Sequence, residues 1–133
     1  MHVAIIGLGL IGGSIGLALK QLAKSRWNIV GYVRRPEVAS VALKLGAIDR
    51  AETSLANAVK EAEIIIIATP VLTIKEILSQ IANHLLPKCT VTDTASTKLQ
   101  GVEWAEEILP TTVNFIGGHP MAGKETYGIQ AAE

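Results

Sequence analysis

Apolar residues recur along the chain in short runs that alternate with stripes at helical spacing. The first run, Val3-Ala4-Ile5-Ile6, belongs to a strand over 2–6 and ends at Gly7. Ile11, Ile15, Ala18, Leu19 and Leu22 follow at the three- and four-residue spacing of a helix, placed over 11–21. Residues 28–33 read as a second strand. Pro36 suits the first turn of a helix over 36–45, and Gly46 suits its C-cap. Residues 47–53 are ambiguous, with room for a short strand near 49–51. A short helix over 54–61 is capped by Thr53 or Ser54. Ile64-Ile65-Ile66-Ile67 is the clearest strand, because four consecutive isoleucines imply burial on both faces. A helix with Ile74, Ile77, Leu78, Ile81 and Leu85 on one side comes next, closed by Pro87. The remaining pattern gives a strand over 90–93, a helix over 97–109 stopped by Pro110, and a last strand over 113–116.

Strands that alternate with helices build a parallel sheet covered on both faces. The expected fold class is therefore α/β: a doubly wound parallel sheet, a single three-layer domain of the Rossmann type. Six strands in the order 3-2-1-4-5-6 would place ligands beyond the strands' carboxyl ends, at the switch point. Gly7 to Gly12, Arg34-Arg35, Thr69-Pro70, residues 93–96 and His119 all follow strand ends, so the topology gathers them along one edge.

Composition narrows the choice of partner. The chain has 133 residues, 49% of them hydrophobic and only 4% aromatic, which suits an aliphatic parallel sheet. Its formal net charge is +0, so no basic excess points to nucleic acid or an anionic membrane surface. Cys89 is the single cysteine and cannot form an internal disulfide, so a reducing cytoplasm is the expected compartment. Residues 3–19 carry no charge and mimic a membrane span or signal peptide. They lack a basic flank and five glycines interrupt them, so the glycine-turn reading explains them better. His2, His84, His119 and Cys89 show no metal-ligand spacing, and Trp27 and Trp104 read as packing residues.

Gly7-Leu8-Gly9-Leu10-Ile11-Gly12 is the chemically informative stretch. Gly7 permits a tight turn, Gly9 lets a pyrophosphate approach the backbone, and Gly12 lets the helix pack closely on the strand. The helix N-terminus then offers unpaired N–H groups to phosphate. A carboxylate at the end of the second strand would hold the ribose 2′-hydroxyl of NAD. Here Val33 is followed by Arg34 and Arg35, and a guanidinium suits a 2′-phosphate. NADP is the preferred cofactor on this reading, with NAD the alternative. Ordinary solvated charge is the competing explanation of the two arginines.

Four segments resemble the nucleotide-binding domain of prephenate and arogenate dehydrogenases. They are Gly7-Leu8-Gly9-Leu10-Ile11-Gly12-Gly13-Ser14, Ala68-Thr69-Pro70, Thr92-Asp93-Thr94-Ala95-Ser96-Thr97-Lys98 and Gly117-Gly118-His119-Pro120-Met121-Ala122-Gly123. The first two are widespread among nicotinamide dehydrogenases; the last two are more specific. The resemblance implies oxidative decarboxylation of a cyclohexadienyl substrate in tyrosine biosynthesis, either prephenate or arogenate. Hydride leaves the hydroxyl-bearing carbon, carbon dioxide leaves the opposite one, and the ring becomes a phenol. His119 is implied as the catalytic group that accepts the hydroxyl proton, a task suited to an imidazole. Ser96 is implied to hydrogen-bond the substrate hydroxyl or His119, although Ser96 or Thr97 equally suits a helix cap. Lys98 either helps to hold an anionic substrate or is solvated. Thr69 and Pro70 join the glycine loop and the arginines as cofactor-binding candidates.

Full enzymes of that family are longer. A helical C-terminal domain makes most of their dimer interface and supplies basic residues that grip the substrate carboxylates. The sequence here ends at Glu133, so the expectation is a cofactor-binding half with little turnover by itself, and a homodimer only for a full-length enzyme. Two alternatives stay open. One is a stand-alone NAD(P)-binding module. The other is a hydroxy-acid dehydrogenase domain of the 6-phosphogluconate-like kind, against which the segment Gly117 to Gly123 argues.

Overall fold

The structure is a computed structural model that describes residues 1–23, 27–94 and 98–117. Six parallel strands form one sheet: β1 (His2–Ile6), β2 (Asn28–Tyr32), β3 (Arg50–Glu52), β4 (Ile64–Ile67), β5 (Thr90–Asp93) and β6 (Asn114–Gly117). Their spatial order is β3-β2-β1-β4-β5-β6, the order that the alternating pattern predicts. The connections carry α1 (Leu10–Ala23), α2 (Pro36–Leu45), α3 (Leu55–Val59), α4 (Val71–Ile81) and α5 (Lys98–Ile108).

Alternation along the central strands divides the core into two layers. In β4, Ile65 and Ile67 enter the cluster shared with Leu55, Val59, Ile74 and Leu78. Ile66 enters the opposite cluster, with Ile29, Ala42 and Ile48. β1 does the same: Ala4 and Ile6 face one layer, Val3 and Ile5 the other. Two-sided burial is what a central parallel strand requires, and each isoleucine so placed contributes about 2–3 kcal/mol of transfer free energy. Trp27 packs against one cluster and Trp104 against the other, as expected of packing residues.

Several boundaries differ from the sequence pattern, for local reasons. α2, by contrast, keeps its expected bounds, with Arg35 at its N-cap, Pro36 in its first turn and Gly46 at its C-cap in the left-handed φ of 78°. Ser54, rather than Thr53, caps α3: its hydroxyl oxygen accepts from the Asn57 N–H at 3.3 Å. α3 stops at Val59 instead of reaching 61, because the chain must turn into the sheet, where the Glu63 N–H donates to the His2 carbonyl oxygen at 2.8 Å. β3 starts at Arg50, one residue later than expected, which leaves Asp49 in the preceding turn. α4 gives way to a 3-10 turn at Ala82–His84, so Leu85 packs on the core from outside the helix. Val33 follows β2, and its N–H still bonds the Glu52 carbonyl at 3.4 Å.

Candidate functional site

The turn after β1 is fixed by close backbone contact. Gly7 has a φ of +96°, and a Cβ there would lie 2.7 Å from the Ala68 carbonyl oxygen. The Gly7 N–H donates to the Tyr32 carbonyl at 3.2 Å, joining the ends of β1 and β2. A Cβ on Gly12 would overlap the Gly7 carbonyl oxygen, so the first turn of α1 lies directly on the strand end. The Gly13 N–H closes that turn on the Gly9 carbonyl at 2.9 Å. A Cβ on Gly9, by contrast, would meet nothing within 4 Å. Gly7 thus makes the turn and Gly12 the close packing of helix on strand, while open space lies beside Gly9.

This turn forms one wall of a cavity of about 700 Å³. Gly7, Leu8 and Gly9 border it after β1, Val33, Arg34 and Arg35 after β2, and Thr69 and Pro70 after β4. The site lies at the carboxyl edge of the sheet, across the switch point between β1 and β4. Leu8 is only 3% exposed, and its side chain belongs to the core beside Ile48, so what it can offer a ligand is backbone. Leu10, Ile11 and Gly12 form the opening of α1, and Ile11 and Gly12 do not border the cavity. At the β4 edge the Thr73 hydroxyl donates to the Pro70 carbonyl at 2.6 Å and lies 2.8 Å from the Thr69 hydroxyl. That bond ties the Thr69-Pro70 turn to the first turn of α4.

Arg34 and Arg35 are both exposed. The Arg35 carbonyl accepts from the Val38 and Ala39 N–H groups, so the start of α2 fixes its backbone while its guanidinium remains available. Among the described residues the ion pairs are Lys20–Asp49 at 2.7 Å and Arg50–Glu52 at 3.2 Å, and neither contains Arg34 or Arg35. Glu52, the acid at the end of β3, is therefore engaged by Arg50. Glu37 also borders the cavity, from the first turn of α2, where an acid is favoured by the helix dipole.

Sequence reasoning missed two features. Thr73, Glu76, Ile77 and Gln80 on α4 form a further wall of the cavity. Their spacing marks one helix face, but the polar members read as ordinary solvent-side residues. Asp49 was also given no role. Its carboxylate accepts from Lys20 Nζ of α1 at 2.7 Å and from the Ile29 N–H of β2 at 2.8 Å, clasping the first two βα units together.

Ser96 and His119 lie outside the described residues, as does the side chain of Lys98, whose backbone opens α5. The strands that lead toward them are described: Asp93 ends β5 and is 1% exposed, and Gly117 ends β6. Cys89 is buried, and that burial pushes its thiol pKa up, so the protonated, unreactive form is favoured. Among the described residues no cluster of metal-ligating side chains occurs, and no helix is long and apolar enough to cross a membrane.

The strand order, the glycine turn and the cavity at the switch point define a Rossmann-type nucleotide-binding domain. Residues 15–133 match the sequence model of the family described as prephenate dehydrogenase, nucleotide-binding domain. The chain belongs to that family. It is 42% identical to a prephenate dehydrogenase of Bacillus subtilis (strain 168), over 98% of this chain and 35% of that protein. A crystal structure of prephenate dehydrogenase from A. aeolicus, in complex with hydroxyphenyl propionate and NAD+, superposes with a TM-score of 0.89 at 34% identity. That match covers 100% of this chain and 46% of the other. The Synechocystis arogenate dehydrogenase gives the same TM-score of 0.89 and 34% identity, over 100% of this chain and 45% of the other. The chain thus spans less than half the length of each of these relatives.

Proposed function

We propose that this chain is the cofactor-binding half of a dehydrogenase that oxidatively decarboxylates prephenate or arogenate, with NADP as the preferred cofactor. The observation that carries the reading is the cavity itself, where an approachable glycine turn and two guanidiniums outside any described ion pair border the same space. Family membership supports the reaction class, and the prephenate and arogenate dehydrogenases among the relatives support the two substrates. NAD+ in the A. aeolicus structure supports a nicotinamide cofactor in general. The choice of NADP rests on Arg34 and Arg35.

The residues present fit such a group. Gly9 leaves room for a pyrophosphate, the opening of α1 offers N–H groups to it, and the arginines suit a 2′-phosphate. When bound, the nicotinamide supplies the hydride acceptor. The protein's own tasks are to orient the substrate ring and to manage one proton. His119 accepts the proton of the substrate hydroxyl as the carbonyl develops, and Ser96 holds that hydroxyl or His119 in place. Lys98 favours an anionic substrate. A further helical region, as the family resemblance implies, would grip the substrate carboxylates and make the dimer.

The test joins this chain to the downstream region of a full-length relative and assays prephenate, arogenate and simple hydroxy acids with NADP and NAD. Oxidation of a cyclohexadienyl substrate is expected, with His119→Ala lowering kcat by about a hundredfold or more. Normal oxidation by His119→Ala would show that the proton goes elsewhere. Preferential oxidation of a simple hydroxy acid would favour the 6-phosphogluconate-like reading, and dinucleotide binding with no turnover the stand-alone module.

A further inference from the structure

The glycine turn and the arginine pair account for the phosphate-facing parts of the cavity, but not for the wall supplied by α4. Ile77 of α4 and Leu55 of α3 border the cavity on that side, each only 8% exposed, and give it an apolar surface. Glu76 and Gln80 stand beside Ile77 on α4 and are exposed. The two are bonded to each other: Gln80 Nε2 donates to Glu76 Oε1 at 3.1 Å. That bond engages one of the two amide N–H donors and leaves, as acceptors, the second carboxylate oxygen of Glu76 and the amide oxygen of Gln80. An apolar surface with an acceptor edge suits a flat heteroaromatic ring that carries an amino group on its rim.

We infer that Glu76, braced by Gln80, reads the 6-amino group of the cofactor's adenine and makes the site selective for adenine over hypoxanthine. The inference rests on the dinucleotide reading above and extends it to the base. Adenine presents an N–H donor where hypoxanthine presents a carbonyl oxygen. Against Glu76 that oxygen sets acceptor against acceptor, so the hypoxanthine analogue loses a charge-assisted bond and meets repulsion instead.

Calorimetric titration of the 133-residue chain with NADP, and with the same dinucleotide carrying hypoxanthine, tests this directly. The unchanged chain is expected to bind the adenine form about tenfold more tightly, the scale of one exposed hydrogen bond to a charged group. Glu76→Gln should narrow the preference to about threefold or less, because a primary amide can turn its NH2 toward the hypoxanthine oxygen. Glu76 is exposed, so the substitution leaves the core untouched. Equal binding of both dinucleotides by the unchanged chain, or a full preference retained by Glu76→Gln, overturns the assignment while leaving the cofactor reading in place. Failure of both dinucleotides to bind overturns the cofactor reading and this assignment with it.

Discussion

Gly7 and Gly12, after β1, sit where an added Cβ would strike the backbone, whereas Arg34 and Arg35, after β2, are exposed and outside the described ion pairs. Both turns border one cavity or brace its wall. The first is defined by shape: its residues are set by how closely α1, β1 and the Ala68 backbone approach one another. The second is defined by charge: its side chains add little to the fold and give the site its polarity. Changes in the first turn should therefore damage folding and binding together, while changes in the second should alter which ligand is held and leave the fold intact.

Gly12→Ala should have the largest effect. The added methyl meets the Gly7 carbonyl oxygen, part of a backbone that cannot swing aside as a side chain would. A loss of about 3 kcal/mol is expected in denaturant unfolding, together with loss of dinucleotide binding. Wild-type stability and affinity in this variant would mean that α1 does not depend on close contact with the strand.

The double substitution Arg34→Ala, Arg35→Ala tests the charge-defined turn. NADP affinity should fall by about thirtyfold, the scale of lost charge-assisted bonds to a phosphate, with NAD affinity nearly unchanged. The melting temperature should stay within about 2 °C, because both side chains are exposed. An equal loss of both cofactors would make the arginines general binding residues rather than readers of the 2′-phosphate.

Asp49→Ala separates the fold from the site in a third way. It removes the acceptor shared by Lys20 and the Ile29 N–H, and none of these three residues borders the cavity. A cost of about 1–2 kcal/mol is expected, moderated by the partial exposure of the ion pair. The ratio of NADP to NAD affinity should not move. A changed ratio would show that the clasp controls the cavity as well as the fold.

What was legible in the sequence follows the same division. β1 and β4 could be read because a strand buried on both faces must be an apolar run, as Ile64 to Ile67 are. The glycine turn could be read because its steric demands fall on residues close together in sequence. Arg34 and Arg35 stood out because an acid is the usual occupant of that position. The end of α3 was not legible, since Lys60 and Glu61 favour a helix and only the pairing of Glu63 with His2 stops it. Asp49 escaped notice because its partners, Lys20 and Ile29, are 29 and 20 residues away. The α4 wall escaped because Glu76 and Gln80 carry no local signature beyond a polar helix face. Ser96 and His119 stood out through the family motif, and their roles rest on it.

On this reading, shape makes the dinucleotide site and the arginine pair selects its ligand. The most direct test is calorimetric titration of the unaltered chain with NADP and NAD at one salt concentration. Both are expected to bind, NADP at least about tenfold more tightly, as charge-assisted contacts to one extra phosphate require. Binding of NAD as tight as, or tighter than, NADP would contradict it.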